Sequence, residues 1–379
     1  MSVAYLHVDS ADALPRPSDV PAGVAGRELL GSSAFVLAWR HLEAGAGLPT
    51  QSHAFTSAMA RTLLADAEIR LLVMPGRGGA RAILPLCRDR GPFSRWRMVG
   101  AKEVFEPGDA LYADRAGAKR LAEAIAVQSR AVSFDRLPAS SELIPAVRAA
   151  MRGRGWVSVR PAMPSPTLAL DASWSDPAAR FNPGRRSDFR RAARKAAECG
   201  EVAYAVLSPE PAEFDALFDE AIAVEVRSWK RQAGTAIAVD PAKCAFFRDY
   251  FRAACAQGAL RIAFMRVDGR AVAMQLAVEW GGRYWLFKIG FDEDFARCSP
   301  GTLLMLHTIG WAAARGLTAY EMLGDVEPWI AEFWTRDRHD CVRLRTYPRN
   351  LRGVAAFLMD LGRWARTRSA NTRSARGNA

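Results

Sequence analysis

Ser299, Pro300 and Gly301 form a short motif whose residue types suit anion binding. Serine is a favoured N-cap and proline suits the first helical position. Glycine lets a ligand approach backbone N–H groups that have no partner inside the helix. A helix that starts in this way can hold a phosphate, although many helices with such a start bind nothing.

Lys288 is the second candidate for a functional role. It interrupts the apolar run 284–290, which has the composition of a strand. An ammonium group in such a strand must reach a polar environment. We expect it to contact a substrate or a donor phosphate, and the alternative is that this face of the strand is exposed to solvent.

A basic cluster between residues 185 and 195 is the third candidate. Its cations face a single acid, Asp188, and on a helix they cover more than one face. The cluster is either a solvated helix or a contact for phosphate, nucleic acid or acidic lipid. Its members are Arg185, Arg186, Arg190, Arg191, Arg194 and Lys195.

A strand and a helix must position the motif at Ser299. The run 283–290 predicts a strand, and the run 303–314 predicts a helix that is apolar around most of its circumference and therefore buried against a sheet. Turn residues at 268–269 and 281–282 predict two hairpins upstream. This order predicts an α/β (α+β) lobe with a mainly antiparallel mixed sheet flanked by helices.

The chain contains an internal repeat. Residues 54–74 align without a gap on residues 245–265, and both segments have the pattern of a helix followed by a strand. A duplicated fold explains the match best, with chance similarity as the alternative. The identical pairs are Ala54/Ala245, Phe55/Phe246, Arg61/Arg252, Ala65/Ala256, Arg70/Arg261 and Met74/Met265.

The first copy predicts a lobe without an anion site. GAKEVFEPGD follows its third strand, 95–99, and offers no N-terminal Ser-Pro-Gly helix start. We expect the first lobe to be structural. The predicted units are an N-terminal extension (1–30), the first lobe (31–170), a linker with the basic helix (171–200), the second lobe (201–347), and a C-terminal helix with a disordered basic tail (348–379).

Composition restricts the classes of protein and site. The chain has 379 residues, 50% of them hydrophobic, which suffices for two cores, and no apolar run of signal or transmembrane length. We therefore expect a cytoplasmic protein.

Six cysteines without a CxxC pair predict reduced thiols and no metal site. His339, Asp340 and Cys341 cannot form a triad, because neighbours on a strand point to opposite faces.

The C-terminal segment predicts an amphipathic helix over 348–364 followed by an Arg/Ser-rich tail that we expect to be disordered. The formal net charge of the chain is +12, and the tail after Leu361 contributes five arginines and no acid. The segment is either a closing helix with a solubilising tail or a transient attachment to an acidic membrane surface.

Four segments in order resemble those of a known family: RRSDFRRAARKAAECG at 185–200, EVRSWKRQAGTAI at 225–237, KIGFDEDFARCSPGTLL at 288–304 and EMLGDVEPW at 321–329. Together with the order of strands and helices they resemble the GNAT acetyltransferases. The whole chain is similar to the tandem GNAT-like proteins of the CelD and BioF-like acetyltransferase group, relatives of the Fem peptidyltransferases. The resemblance implies an acyltransferase whose second lobe holds the donor.

The resemblance also implies where acetyl-CoA, or another acyl-CoA, binds. In the family the thioester lies between two splaying strands, here Trp285–Ile289 and Ala319–Met322, and the pyrophosphate lies on the next helix. This chain departs from the family loop, because Arg297 and Gly301 are one residue too far apart and Leu303 replaces the second glycine. The implied donor-binding residues are Phe287, Lys288, Ile289, Arg297, Ser299, Pro300, Gly301 and Thr302.

Acylation of an amine requires a proton acceptor, and a carboxylate in a partly buried cleft can serve. Glu225, Glu321 and Asp325 are the candidates, and for each the alternative role is a structural ion pair or cap. The predicted substrate contacts are Trp229, Lys230, Tyr284, Asp292 and Trp329.

The resemblance implies an N-acyltransferase that acts on the amine of a sugar or nucleotide-linked precursor of surface polysaccharide. We expect it in the cytoplasm, and attachment of its tail would make it peripheral to the inner membrane. One alternative is a Fem-like transferase that uses aminoacyl-tRNA, for which the basic helix would contact RNA phosphates. Another is a non-catalytic accessory protein of polysaccharide assembly.

Overall fold

A computed structural model describes residues 23–76, 79–228, 237–324 and 328–377, without the side chains of 328–329 and 367–377. Its helices are α1 (Ser33–Glu43), α2 (His53–Arg61), α3 (Arg115–Ala126), α4 (Leu143–Ala150), α5 (Pro183–Ala197), α6 (Phe214–Val226), α7 (Pro241–Ala256), α8 (Pro300–Ala314), α9 (Pro328–Phe333) and α10 (Leu351–Gly377).

The strands form one continuous sheet in the order β1-β2-β3-β4-β6-β13-β7-β12-β11-β10-β9-β8, and β5 pairs with β3 beside this path. They are β1 (Gly23–Ala25), β2 (Glu68–Gly76), β3 (Gly79–Arg88), β4 (Trp96–Met98), β5 (Leu111–Tyr112), β6 (Val132–Pro138), β7 (Gly155–Ala169), β8 (Val202–Leu207), β9 (Leu260–Val267), β10 (Arg270–Trp280), β11 (Arg283–Phe291), β12 (Ala319–Met322) and β13 (Arg338–Pro348).

The two halves of this sheet have the same connectivity, which confirms the predicted pair of lobes. In each, three antiparallel strands (β2-β3-β4 and β9-β10-β11) are followed by a helix and a strand parallel to the third (β6 and β12). Phe55 of α2 and Phe246 of α7, equivalent residues of the repeat, pack edge-to-face with ring centroids 5.4 Å apart. The equivalent helices thus meet at the junction of the lobes.

A contiguous second lobe, 201–347, implies that strand β13 lies in the second half of the sheet. The structure places β13 in the first half. It pairs with β6 on one side and with β7 on the other, and β7 also pairs with β12. The last strand of the chain therefore lies within the first half of the sheet. A contiguous division of the sequence does not reveal this placement, because strand pairing over about 200 residues has no local signal.

The second lobe places helices on both faces of its strands. Phe214, Phe218 and Phe251 of α6 and α7 are fully buried on one face, and Ile309 of α8 is fully buried on the other. As predicted, α8 is covered almost all round. Asp268 and Gly269 turn the β9–β10 hairpin with φ values of 47° and 77°, the left-handed region that such a two-residue turn requires.

Helix α10 continues to Gly377, whereas the sequence predicts disorder after the amphipathic segment. Propagation of an existing helix adds one backbone hydrogen bond for each residue fixed, and residues 361–376 contain no proline. Among the helices that the structure describes, none combines the length and apolar character needed to cross a membrane.

Candidate active site

The site is built where β11 and β12 separate. The two strands are parallel and paired from Arg283/Ala319 to Leu286/Met322, and the last contact is the Leu323 N–H, which donates to the Leu286 carbonyl at 3.3 Å. Beyond that point β11 continues to Phe291. The diverging strands leave an opening in the sheet, at the position where the family resemblance implies the donor.

A register shift of β11 lies at the same level. Opposite β10 the pairing passes from Lys288 directly to Leu286, so Phe287 is the additional residue of a bulge. Bulges bend a strand and redirect its side chains, and they occur often beside active sites. Here Phe287 packs against the rings of Tyr250 and Phe251, which fixes the strand where it leaves its neighbour.

Helix α8 begins at the end of the loop that follows β11. Pro300 occupies its first position, as predicted, and Gly301 and Thr302 are half-buried in its first turn. Ser299 differs from the expected cap: its φ is +48°, its side chain caps no N–H, and its carbonyl accepts from Thr302 and Leu303 at 3.0 and 3.2 Å. A strained non-glycine residue therefore sits at the entrance to the helix.

Asp292 holds this loop. The sequence predicts it as a substrate contact, but the residue is 1% exposed and its carboxylate accepts hydrogen bonds from Arg227 and Arg270. Burial by itself raises the pKa of Asp292, and the hydrogen bonds from the two arginines lower it below its usual value of 3.8. Asp292 thus fixes the loop before α8, and its carboxylate is already occupied by protein groups.

The corresponding helix of the first lobe is closed to anions. The Asp114 side chain accepts from the Gly117 N–H at 2.8 Å and forms an ion pair with Arg81. The hydrogen bond from Arg81 lowers the pKa of Asp114 to about 2. A carboxylate therefore occupies the N-terminus of α3, while α8 carries no such acid in its first turn.

Arg297 lies on the solvent side of the same loop and contacts a pair of cysteines. Its Nη2 donates to Cys199 Sγ at 3.2 Å, and the sulfur atoms of Cys199 and Cys298 are 3.5 Å apart. The hydrogen bond from Arg297 lowers the pKa of Cys199, whereas burial raises the pKa of Cys298. Arg297 is thus beside the start of α8, where the sequence predicts a donor contact.

Lys288 enters the interior on the side of α6 and α7. It is half-buried, and its Nζ lies 4.6 Å from the centroid of the Phe247 ring. Burial lowers the pKa of Lys288, and the carboxylates of Glu225 and Glu106 act in the opposite direction. The lysine therefore belongs to a charged cluster beside the splayed strands, and its side chain does not lie on an open strand face.

Glu225 ends α6 within this cluster. It is fully buried, and its Oε2 accepts from the Ile237 N–H at 2.8 Å. A Cβ added to Gly290 of β11 would lie 3.1 Å from the Glu225 Cα, so the helix touches the strand just beyond the opening. The glycine is needed there for this close approach.

The first lobe contributes to the same opening. Glu106 Oε2 accepts from the Gly324 N–H at 3.0 Å, and the Gly324 carbonyl accepts from Arg136 Nη2 at 3.1 Å. Arg136 is 1% exposed and also donates to the carbonyls of Phe105 and Pro164. The chain that leaves β12 is thereby held by the first lobe.

A cavity of about 1220 Å³ lies between the lobes. It reaches β11 at Arg283 and Trp285, one residue before the β11–β12 pairing ends. Ser165 lies in its wall, is 2% exposed, and its Oγ has no hydrogen-bond partner among the described residues. A buried polar group without a partner on a cavity wall is suited to a ligand that supplies the missing hydrogen bond. Polar residues that share this wall are His41, Arg81, Asp109, Tyr112, Asp114, Ser140, Ser141, Arg338, His339 and Asp340.

Asp109 is the most strongly perturbed acid of this wall. Its carboxylate accepts from the Ala110 N–H at 2.7 Å and from the hydroxyls of Ser141 and Tyr112 at 3.0 and 3.2 Å. Burial nevertheless raises its pKa to about 7, because the hydrogen bonds offset only part of the lost hydration. The cavity therefore contains a carboxyl group that titrates near neutral pH.

Glu321 joins β12 to the cavity through a histidine. It is fully buried, and its Oε1 accepts from Arg283 Nη1 at 2.8 Å. Its Oε2 lies 2.9 Å from Nε2 of His339, a residue of β13 that also lines the cavity. A carboxylate at this distance favours the proton on Nε2, so the ring offers Nδ1 as a proton acceptor.

The remaining predicted contacts fall in three places. Tyr284, predicted as a substrate contact, is instead fully buried beneath α8, stacked on Tyr320 with ring centroids 4.7 Å apart. Ile289 is half-buried beside the same core. Trp229, Lys230 and Asp325 lie outside the described residues, as does the side chain of Trp329.

His339, Arg283 and the first-lobe wall of the cavity are the residues that sequence reasoning missed. The sequence led us to examine His339 only with its immediate neighbours, and its partner is 18 residues away on another strand. The segment 100–109, which we took as evidence against an anion site, supplies Pro107 and Asp109 to the wall. Groups of at least three metal-ligating side chains do not occur among the described residues.

Part of the chain resembles a known family. Residues 183–329 match the model of the acetyltransferase (GNAT) domain. The match identifies an acyltransferase. The matched segment begins at α5 and contains the splayed strands, the start of α8, and the acids Glu225 and Glu321. It favours an enzyme over a non-catalytic accessory protein.

Solved structures show the same fold over both lobes. The C-terminal domain of a putative lysylphosphatidylglycerol synthetase from Agrobacterium fabrum is 14% identical, with a TM-score of 0.52 over 86% of this chain and 95% of that one. FemX is 11% identical, with a TM-score of 0.52 over 77% of this chain and 87% of FemX. At these identities the likeness extends to the fold alone. No curated protein matches the sequence.

Proposed function

We propose that the protein is an N-acyltransferase of the CelD and BioF-like group that transfers an acyl group from acetyl-CoA to an amine of a sugar or nucleotide-linked precursor of surface polysaccharide. The observation that carries this proposal is the opening between β11 and β12 next to the start of α8, inside the GNAT domain. We place the enzyme in the cytoplasm, peripheral to the inner membrane, where such precursors are assembled.

The donor would lie along β11 with its pyrophosphate at the first turn of α8. The helix dipole and the N–H group of Gly301 favour a negative charge there. Arg297 lies beside this turn and is exposed. The thioester would then reach the bulge at Phe287 and the lysine that follows it, where a cation can stabilise the oxyanion of the tetrahedral intermediate.

The acceptor would enter from the cavity between the lobes. Its amine attacks the thioester carbonyl, the new C–N bond forms, the C–S bond breaks, and the CoA thiolate leaves. The proton lost by the amine passes to Nδ1 of His339, whose ring Glu321 orients. The polar residues of the cavity wall, Ser165 among them, suit the hydroxyl groups of a carbohydrate.

Calorimetry with acetyl-CoA tests the donor site. A Cβ at Gly301 would lie 3.4 Å from the Phe291 ring, an ordinary contact, so Gly301→Ala should fold and bind. Gly301→Trp should fold but abolish binding, because its ring would cover the helix N-terminus. Gly31→Trp is the matched control, since Gly31 is exposed in the first lobe with open space around it.

Failure of the wild type to bind acetyl-CoA would remove the proposed donor, and unchanged binding by Gly301→Trp would remove the proposed position. Release of CoA in the presence of amino sugars and their nucleotide-linked forms identifies the acceptor. We expect turnover with at least one of these amines and none with the N-acetylated forms.

A second candidate function is a Fem-like transfer from aminoacyl-tRNA. It is favoured by the position of α5, which packs against α8 and exposes arginines beside it. Arg191 pairs with Asp188, while Arg186, Arg190 and Arg194 are exposed on the same helix. Salt-sensitive tRNA binding that is lost when these three are replaced by glutamine would support this function over the use of acetyl-CoA.

A further inference from the structure

Helix α10 packs on the sheet through small residues and through Phe357, whose ring lies edge-to-face on Tyr347 with ring centroids 5.3 Å apart. A Cβ at Gly353 would lie 1.9 Å from the Pro348 carbonyl oxygen, so this position admits only glycine. Ala356 is 3% exposed against Tyr347. Asp360 accepts hydrogen bonds from Arg95 and Tyr347 on the same side. Apart from Phe357, the inward face of the helix therefore carries little apolar side-chain area.

The larger apolar residues of α10 face outward. Leu351, Leu358 and Leu361 are 90%, 58% and 45% exposed, and Val354 lies between them at 39%. Positions i, i+3, i+7 and i+10 form one stripe along a helix. Phe357 and Trp364 border it and are also exposed, and Trp156 of β7 packs against Phe357. A helix that only closed the core would have the opposite arrangement.

The charge of the segment 349–379 is almost entirely positive. Residues 349–379 contain seven arginines and one acid, Asp360, which is bonded to the body of the protein by Arg95 and Arg345. Arg352, Arg363 and Arg366 lie on α10 and are exposed. An outward apolar stripe flanked by arginines is the pattern of a helix that lies in a membrane interface.

We propose that α10 docks the protein in the plane of an anionic phospholipid membrane. The stripe of Leu351, Val354, Leu358 and Leu361 enters the boundary between headgroups and acyl chains, and the arginines contact the phosphate groups. A second copy is a poor occupant of this face, because two such helices would bring like charges together. The inference extends the peripheral location proposed above and does not depend on acyl transfer.

Vesicle co-sedimentation of the full chain tests this proposal. The probes are phosphatidylcholine vesicles with and without phosphatidylglycerol. We expect binding to the anionic vesicles only, weakened by salt. Arg352→Gln and Arg366→Gln should each lower the partition coefficient about fivefold. The double variant Leu358→Glu/Leu361→Glu should abolish binding, whereas Val24→Glu, at an exposed position of β1, should bind as the wild type does.

Thermal unfolding and acetyl-CoA calorimetry on the same variants show whether they are folded, independently of membrane binding. Equal binding to both kinds of vesicle, no binding, or unchanged binding by the double leucine variant would overturn the proposal. Sedimentation velocity identifies the competing occupant. A dimer of the wild type that Leu358→Glu/Leu361→Glu dissociates would assign the stripe to a second copy of the chain.

Discussion

His339 Nε2 lies 2.9 Å from Glu321 Oε2, although the two residues belong to strands β13 and β12, which β7 separates. The pair connects a fully buried carboxylate to the cavity between the lobes. It places a proton acceptor on the side from which an acceptor amine would enter, and this relationship leads to the first prediction.

His339→Ala should lower kcat by about 10²–10⁴ with little change in acetyl-CoA affinity, because it removes the group that accepts the amine proton. Glu321→Gln should lower kcat less and shift the pH–rate profile, since a neutral partner no longer orients the imidazole. Steady-state kinetics across pH measures both effects. His41→Asn, on the same cavity wall, is the control and should alter KM alone. Normal kcat in His339→Ala would exclude this residue as the base.

Asp109 should make stability depend on pH in a defined window. Its carboxyl loses its proton near pH 4 in the unfolded chain and near pH 7 in the folded protein, because burial raises its pKa to about 7. Between these values the folded state holds one more proton, so the free energy of unfolding falls as pH rises and levels off above pH 7. The loss is up to about 4 kcal/mol. Urea unfolding of wild type and Asp109→Asn from pH 4 to 8 measures it, and parallel curves would contradict the assignment.

Arg136 should stabilise the junction of the lobes. It is buried and donates to carbonyls of three separate segments, including that of Gly324 after β12. Arg136→Ala leaves these acceptors unsatisfied and should lower the free energy of unfolding by about 3 kcal/mol. Arg343→Ala removes the exposed pair with Asp135 and should cost less than about 1 kcal/mol. Equal losses in urea unfolding would refute the role of Arg136.

Cys199 and Cys298 should form a disulfide when the protein is treated with diamide. Their sulfur atoms are 3.5 Å apart, and the hydrogen bond from Arg297 favours the thiolate of Cys199 by lowering its pKa. Peptide mapping under non-reducing conditions should find this link in the wild type. Cys199→Ser should lack it, and Cys244→Ser should retain it. A link that instead joins Cys244 to either residue would show that the loop before α8 rearranges in solution.

Much of the fold was predictable because it depends on local patterns. The apolar runs of β9, β10 and β11, the glycines of their hairpins and the apolar circumference of α8 each have a signal within a few residues. The repeat then extended this prediction to the first lobe, where the contact of Phe55 with Phe246 agrees with it. The strand, loop and helix of β11 and α8 were predictable for the same reason, since they are consecutive in the sequence.

The acceptor side was decided by the tertiary structure. Tyr284 and Asp292 have suitable residue types for substrate contacts, yet α8 covers one and two arginines occupy the other. The sequence by itself determined the order of elements and the start of α8 at Pro300, because helix and turn preferences act over a few residues. Only the tertiary structure brought His339 to Glu321 and closed a cavity between the lobes, because strand pairing and packing join residues that no local pattern connects.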